Sequence, residues 1–163
     1  MKVETSNFIF FTLDKNNPIH LNFLKSITND ELIAKYLGNM KNYFEDITFD
    51  SLDFSNHYLA VLDNKIVGFI SLFAYLEYAS LNLALKSEYR GIKLVKDNSI
   101  GTMMIKEFTD EMFKQMLTLK YFEGMIDKSN ISSQKIALKA GFTHYKDNSH
   151  FNNMDEYRKY KVR

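Results

Sequence analysis

The sequence contains no cysteine, so it can build neither a disulfide framework nor a thiol nucleophile. That absence fits a reducing compartment. Proline occurs once and glycine six times in 163 residues, which leaves little material for a flexible interdomain linker. Long apolar runs are missing as well. The stretch Phe8-Ile9-Phe10-Phe11-Thr12-Leu13 soon meets Asp14 and Lys15, so neither a signal peptide nor a membrane span is expected. The cytoplasm is the expected location. Charge of one sign is also lacking. Lys and Arg number 21 against 20 Asp and Glu, a formal net charge of +1, so no global field steers the protein to nucleic acid or an anionic membrane. His20, His57, His144 and His150 show no helical metal spacing, and no Asp or Glu completes a set with them, so no metal is expected.

What remains is the composition of a soluble globular protein. A chain of 163 residues is long enough for one domain, residues 1–163, whose core stands without staples. Phe8 to Leu13 reads as a first strand. Asn17-Pro18 fits an N-cap followed by proline at the first helical position, with Ile19, Phe23, Leu24 and Ile27 on one face behind it. Thr28-Asn29-Asp30-Glu31 matches a capping box ahead of a second stripe, Ile33, Tyr36, Leu37, Met40 and Phe44. Gly38 interrupts that stripe. Tyr36, Tyr43 and Phe44 line either a substrate cleft or the rim of the core. His57 to Asp63 and Lys65 to Phe73 form a hairpin about Asp63-Asn64, and Gly68 inside the second strand marks a bulge or a close approach of another backbone. Leu76 to Lys86 extends the meander. Tyr121 to Asp127 is a further strand, and Asn130 to Ala140 a helix ended by Gly141. Phe142 to Lys146 and Glu156 to Val162 close the chain as a hairpin across the loop Asp147 to Asn153. The order is that of an α+β or mixed-sheet fold.

The richest stretch is Leu81 to Met116. A strand ends at Lys86, Tyr89-Arg90-Gly91 turns the chain, and Ser99-Ile100-Gly101-Thr102 opens a helix. Ile100, Met104, Phe108, Met112 and Met116 give that helix its apolar face. A helix start offers unpaired N–H groups and a partial positive charge. With Arg90, Lys93 and Lys96 nearby, the stretch is either a phosphate seat or an ordinary strand-to-helix connection.

A second segment narrows the choice. Asn130, then Ser133, then Lys139-Ala140-Gly141-Phe142 resembles the second signature of the GCN5-related N-acetyltransferases (GNAT). Tyr89-Arg90-Gly91 with Gly101-Thr102 is similar to their first, an Arg- and Gly-rich turn between the fourth strand and the third helix. The order of elements along the chain resembles theirs too. The resemblance implies a mostly antiparallel twisted sheet containing one parallel splayed strand pair, flanked by about four helices. It implies acetyl-CoA as co-substrate, lying between the strands Leu81 to Lys86 and Tyr121 to Asp127. Leu83 and Leu85 are then backbone partners of the pantetheine, Arg90, Gly91, Ser99, Gly101 and Thr102 surround the pyrophosphate, and Asn130 and Ser133 face the pantetheine arm or the leaving thiol. The implied chemistry is direct attack of a primary amine, from a small molecule or a peptide, on the thioester. Glu77 is the candidate base, Asn82 the candidate holder of a water, and Ser133 a candidate proton donor to the thiolate.

Two departures stand against this pattern. From Arg90 to Gly101 the spacing is eleven where the family pattern has five, so about six residues, roughly Ile92 to Asn98, are inserted, and Ser99 takes the place of the middle glycine. Ala137 stands where many members carry a tyrosine that protonates the departing thiolate. Three readings follow: an N-acetyltransferase, a non-catalytic CoA-binding or regulatory module of the same fold, and an unrelated phosphate- or nucleotide-binding domain. The antiparallel meander speaks against a doubly wound sheet for the last. Tyr157 and Tyr160 alternating with Arg158 and Lys159 on the last strand hint at a homodimer.

Overall fold

The structure is a computed structural model that describes residues 2–37, 56–147 and 153–162. The part of the second helical stripe from Gly38 to Phe44, and His150, lie outside these residues. Strands β1 (Lys2–Glu4) and β2 (Ile9–Thr12) precede helices α1 (Pro18–Thr28) and α2 (Glu31–Leu37). Then come β3 (His57–Leu62), β4 (Lys65–Ala74) and β5 (Tyr78–Leu85). A short ribbon, β6 (Lys93–Val95) and β7 (Asn98–Ser99), leads into α3 (Ile100–Gln115). The chain closes with β8 (Tyr121–Asp127), α4 (Ile131–Lys139), β9 (Thr143–Asp147) and β10 (Met154–Tyr160).

Eight strands form one sheet in the order β1-β2-β3-β4-β5-β8-β10-β9. Every pairing is antiparallel except β5 with β8. The meander follows from its turns. Asp63 and Asn64 both adopt positive φ, 48° and 62°, which suits a tight hairpin and which Asp and Asn tolerate better than other side chains. Alternation then sorts residues between two faces. On one face α3 buries Met104 and Phe108 against Phe10 and Tyr58, the Phe108 ring lying 5.0 and 5.1 Å from theirs, and Phe113 meets Phe122 at 4.6 Å. Each such side chain removed from water contributes roughly 1.5–3 kcal/mol. On the other face Phe23, Leu24 and Ile27 of α1 and Ile33 of α2 cover Leu59, Phe69 and Ala84. Lys159 ties the sheet to α3 by donating to Thr109 Oγ1 (2.8 Å) and Asp110 Oδ1 (2.6 Å). β10 runs between β8 and β9, so it has no free edge of its own to offer a second copy.

The structure departs from the sequence expectations in four places. A short strand, β1, pairs with β2 ahead of the expected start; three residues with one apolar side chain, Val3, carry too little periodicity to be read. The capping box does not form. α1 continues through Thr28, whose hydroxyl donates back to the Lys25 carbonyl, and a helical residue cannot act as an N-cap. Asp30 caps α2 instead, accepting from the N–H groups of Leu32 (3.0 Å) and Ile33 (3.1 Å). β5 begins at Tyr78 rather than Leu76, because the Tyr75 N–H closes a turn onto the Tyr78 carbonyl (2.8 Å). Finally, the inserted residues after Gly91 are not an open loop. They form the β6–β7 ribbon, with Leu94 packed against the core and the Ile100 N–H bonded to the Ile92 carbonyl (2.9 Å).

Candidate active site

β5 and β8 pair over only three positions, Tyr78 with Tyr121, Ala79 with Phe122 and Ser80 with Glu123. Beyond them the strands part. β5 stays with β4 as far as Leu85, and β8 stays with β10 as far as Asp127. The direction of the freed backbone groups follows from one bond. The Lys86 N–H donates to the Val67 carbonyl of β4 (3.0 Å), and along an antiparallel pair residues alternately face the partner and face away. Even-numbered residues of β5 therefore spend their peptide groups on β4. Leu83 and Leu85 turn theirs toward the gap, while Leu81 still faces β8 beside the last pair, Ser80 with Glu123. Gly68 tightens the β4 side: a Cβ there would run into the Ala84 carbonyl oxygen and approach Leu85 Cδ2 to 3.1 Å.

The gap opens into a cleft of about 350 Å³, within the ~300–1,000 Å³ of small-ligand sites. Leu83 and Leu85 form one wall and Gly124 to Asp127 the other. Two helices begin at its mouth. Ser99 caps α3, its Oγ accepting from the Thr102 N–H (3.2 Å). Asn130 caps α4, its Oδ1 accepting from the Ser133 N–H (3.1 Å). Both helix starts bring partial positive charge to the cleft. α2 roofs the opposite face with Leu32, Ile33 and Tyr36.

A polar latch holds that roof. Arg90 Nη2 meets Asp30 Oδ2 at 2.7 Å, and Nε and Nη2 of the same guanidinium donate to the Leu85 carbonyl at 3.2 and 3.0 Å. One residue thus joins the cap of α2 to the end of β5. Burial pushes the Asp30 carboxyl up, but the Arg90 hydrogen bond and charge and the N–H groups of Ile33 and Leu32 outweigh it and hold the acid below its ordinary value. Across the mouth, the Lys35 charge on α2 also acts on Asp127 of β8.

The structure brings most of the expected site residues together. Asn82, Leu83, Leu85, Arg90, Gly91, Ser99, Asn130 and Ser133 all line the cleft. Glu77 does not. It lies in the turn before β5, at the closed end of the strand pair, and Lys120 holds its carboxylate at 2.6 Å. Gly101 and Thr102 are also absent from the lining. Thr102 is buried, and a Cβ at Gly101 would come within 2.8 Å of Leu85 Cδ1 and 3.2 Å of Ile136 Cδ1. Gly101 is therefore the point where α3 closes onto β5 and α4, a packing role. Arg90 reaches the cleft, but its guanidinium is engaged by Asp30 and Leu85.

Phe142, the end of the second signature, also lines the cleft, as do Gly124 and Tyr157, which no motif in the sequence marked for it. Tyr157 sits opposite Gly124 in register, and the absent side chain there leaves its ring room beside the cleft. The signal lay in pairing register, which one sequence does not show. The histidine reading needs one correction. The β9–β10 hairpin gathers His144, Asp147 and Asp155, whose ligand atoms lie within 4.8 Å of one another. The Lys128 ammonium stands 3.5 Å from both carboxylates and supplies their counter-charge.

Two outcomes follow from this packing. Gly101→Val lowers the denaturant midpoint by an amount equivalent to about 1–3 kcal/mol, because the new side chain must displace Leu85 and Ile136. A wild-type midpoint would show that α3 can shift freely. Asp30→Asn keeps the cap but loses the charge and costs about 1–2 kcal/mol, between an exposed ion pair and a charged interior hydrogen bond. Because the folded acid is held below its ordinary value, this stabilisation is present above about pH 4 and is lost as pH falls through the folded value. The difference between wild type and variant in urea melts is then flat from about pH 5 to 8 and shrinks below. A difference growing toward acid would contradict the latch.

No protein-family model and no curated protein matches the sequence. Solved structures do resemble it. An acetyltransferase of the GNAT family from Bacillus anthracis aligns over 97% of this chain and 96% of its own, with a TM-score of 0.69 and 15% identity. RimL, a ribosomal L7/L12 alpha-N-protein acetyltransferase in complex with coenzyme A, aligns over 98% of both chains with a TM-score of 0.75 and 14% identity. The Campylobacter jejuni N-acetyltransferase PseH in complex with acetyl coenzyme A aligns over 95% of this chain and 99% of its own, with a TM-score of 0.65 and 14% identity. With its one parallel pair parting beside two helix starts, the fold of this chain is that of the GCN5-related N-acetyltransferases.

Proposed function

We propose that the protein is an acetyl-CoA-dependent N-acetyltransferase that moves the acetyl group to a primary amine of a small molecule or a peptide. The observation that carries the reading is the unpaired edge of β5 facing two helix starts across the gap. A pantetheine arm carries amide groups and can pair with Leu83 and Leu85 as an added strand would. Two of the structural neighbours were solved with CoA or acetyl-CoA, which supports the same donor here. Near the mouth the phosphates meet Gly91 and Ser99, with Lys93 and Lys96 of the ribbon as mobile point charges. At the closed end the thioester carbonyl lies within reach of the outward N–H groups of β5, which stabilise the oxyanion formed on attack. Ser133 and the Asn130 amide line the cleft at the start of α4, where they can meet the pantetheine arm, and Asn82 lines it from β5, where it can hold a water. A thiol near pKa ~8.5 leaves as a thiolate without a strong acid, so Ala137 at the position of the missing tyrosine does not forbid turnover. The reaction is assigned to the cytoplasm, where a thiol product stays reduced.

A second reading, CoA binding without catalysis, draws on one observation: Glu77, the expected base, lies outside the cleft. Two measurements separate the readings. Acetyl-CoA at ~100 times its dissociation constant adds about 2.7 kcal/mol, a rise of about 5–10 °C in melting temperature for a chain of this size. No shift at millimolar ligand rejects both CoA readings. Thiol release from acetyl-CoA that depends on added primary amine supports transfer, and binding without release supports the module.

A further inference from the structure

The closed end of the gap carries a carboxylate that the sequence reading did not single out. Glu123 is the last residue of β8 to pair with β5, opposite Ser80, and its neighbour Gly124 lines the cleft. Its face is fixed by alternation. Phe122 is buried against Phe113 of α3, so Glu123 points to the opposite side of the sheet. That side is shared with Ser80, Asn82 and Ala84, and Ala84 packs under α1 and α2. The two helix starts belong to the α3 face, and Asn82 lines the cleft on the other. Glu123 stands on that second face, paired with Ser80 and one residue before the lining stretch Gly124 to Asp127.

Glu123 is chemically suited to meet an amine. It is half-buried, yet it accepts no hydrogen bond from any described residue. The charged groups around it are already engaged. Its cross-strand partner on β10, Arg158, gives Nε to Glu156 Oε1 (2.6 Å) and stacks on Tyr145 and Tyr121 at 3.6 and 4.3 Å. Lys146 on β9 lies 3.7 Å from Glu156. Tyr78 on β5 stacks on Tyr121. Burial first, and the nearby Glu156 carboxylate second, push the Glu123 acid above its ordinary value, against Arg158 and Lys146. A partly desolvated carboxylate beside a second one attracts a cation and holds a proton better than a surface acid.

We propose that Glu123 is the catalytic base of the acetyl transfer, binding the acceptor as an ammonium and removing its proton. The inference rests on the transferase reading above. One ammonium proton passes to the Glu123 carboxylate. The freed nitrogen lone pair forms the C–N bond at the thioester carbon, and the C–S bond breaks with its electron pair on sulfur. The second nitrogen proton is lost as the amide forms and neutralises the thiolate through solvent. Glu123 then releases its proton to water.

The test compares two nucleophiles with acetyl-CoA at pH 7. Ethylamine is an ammonium there and needs a base, whereas hydroxylamine is already largely neutral. Glu123→Gln lowers kcat/KM for ethylamine by about 100-fold, the lower end of general-base contributions, while hydroxylamine falls less than about threefold. Glu123→Asp recovers part of the ethylamine rate. The dissociation constant of CoA is unchanged in both variants. Folding is controlled within the same experiment. A carboxyl raised in the folded state contributes stability below its unfolded value that is lost as pH rises through the folded one, so the Gln variant melts at or above the wild-type temperature at pH 7. Unchanged ethylamine kinetics, or equal losses with both nucleophiles, would overturn the role of Glu123 and leave the transferase reading standing. Wild-type protein that binds CoA but acetylates neither nucleophile would reject the transferase reading and this role with it.

Discussion

Backbone N–H and C=O groups withdrawn from water need partners, and past Ser80 strand β5 finds them on one side only. This one-sided edge is the constraint on which the rest depends. The peptide groups of Leu83 and Leu85 face a gap walled by leucine, isoleucine and methionine side chains, where leaving them unpaired is costly. Leu85 resolves half of its problem internally, because Arg90 caps its carbonyl. The remaining groups are offered to whatever fills the cleft. A ligand carrying amides in an extended chain answers that need better than a compact or wholly apolar one.

Several separate interactions keep the two strands apart. Gly68 lets β4 press close to β5 at Ala84 and Leu85, while β10 holds β8 along its full length. Arg90 fastens β5 to the cap of α2, and Gly101 lets α3 settle against Leu85. The same latch sets a limit on the phosphate end. A guanidinium committed to Asp30 and Leu85 is a structural cation, and the Ile100 and Thr102 N–H groups are bonded to Ile92 and Ser99. The insertion after Gly91 has thus been built into a ribbon that uses part of the helix start itself and places Lys93 and Lys96 outside it.

Much of the fold was legible in local chemistry. Asp63-Asn64 marked its turn, Asn17-Pro18 its helix start, and Ile100 to Met112 the buried face of α3, because turns, caps and helical faces are short-range events. Asn130 and Ser133 entered through the resemblance to the second signature of the family; the structure shows that their spacing is also that of a helix cap, contained within four residues. Thr28 was misread because the motif took no account of a preceding helix that runs on to that residue. Glu77 was misplaced because nearness to a strand in sequence says nothing about which end of the strand meets the cleft. Glu123, Gly124 and Tyr157 could not be read at all. Their positions depend on register between β5, β8 and β10, strands separated by a helix or by a returning hairpin.

The account is tested most directly by residue-resolved amide hydrogen exchange with and without acetyl-CoA. Leu83 and Leu85 direct their N–H groups into the gap, and Asn82 and Ala84 direct theirs to β4. Saturating acetyl-CoA is predicted to slow exchange at Leu83 and Leu85 by an order of magnitude or more and to leave Asn82 and Ala84 little changed. Exchange at Leu83 and Leu85 that stays as fast with ligand as without it, while protection develops elsewhere on the molecule, would contradict the assignment of the β5 edge as the donor site.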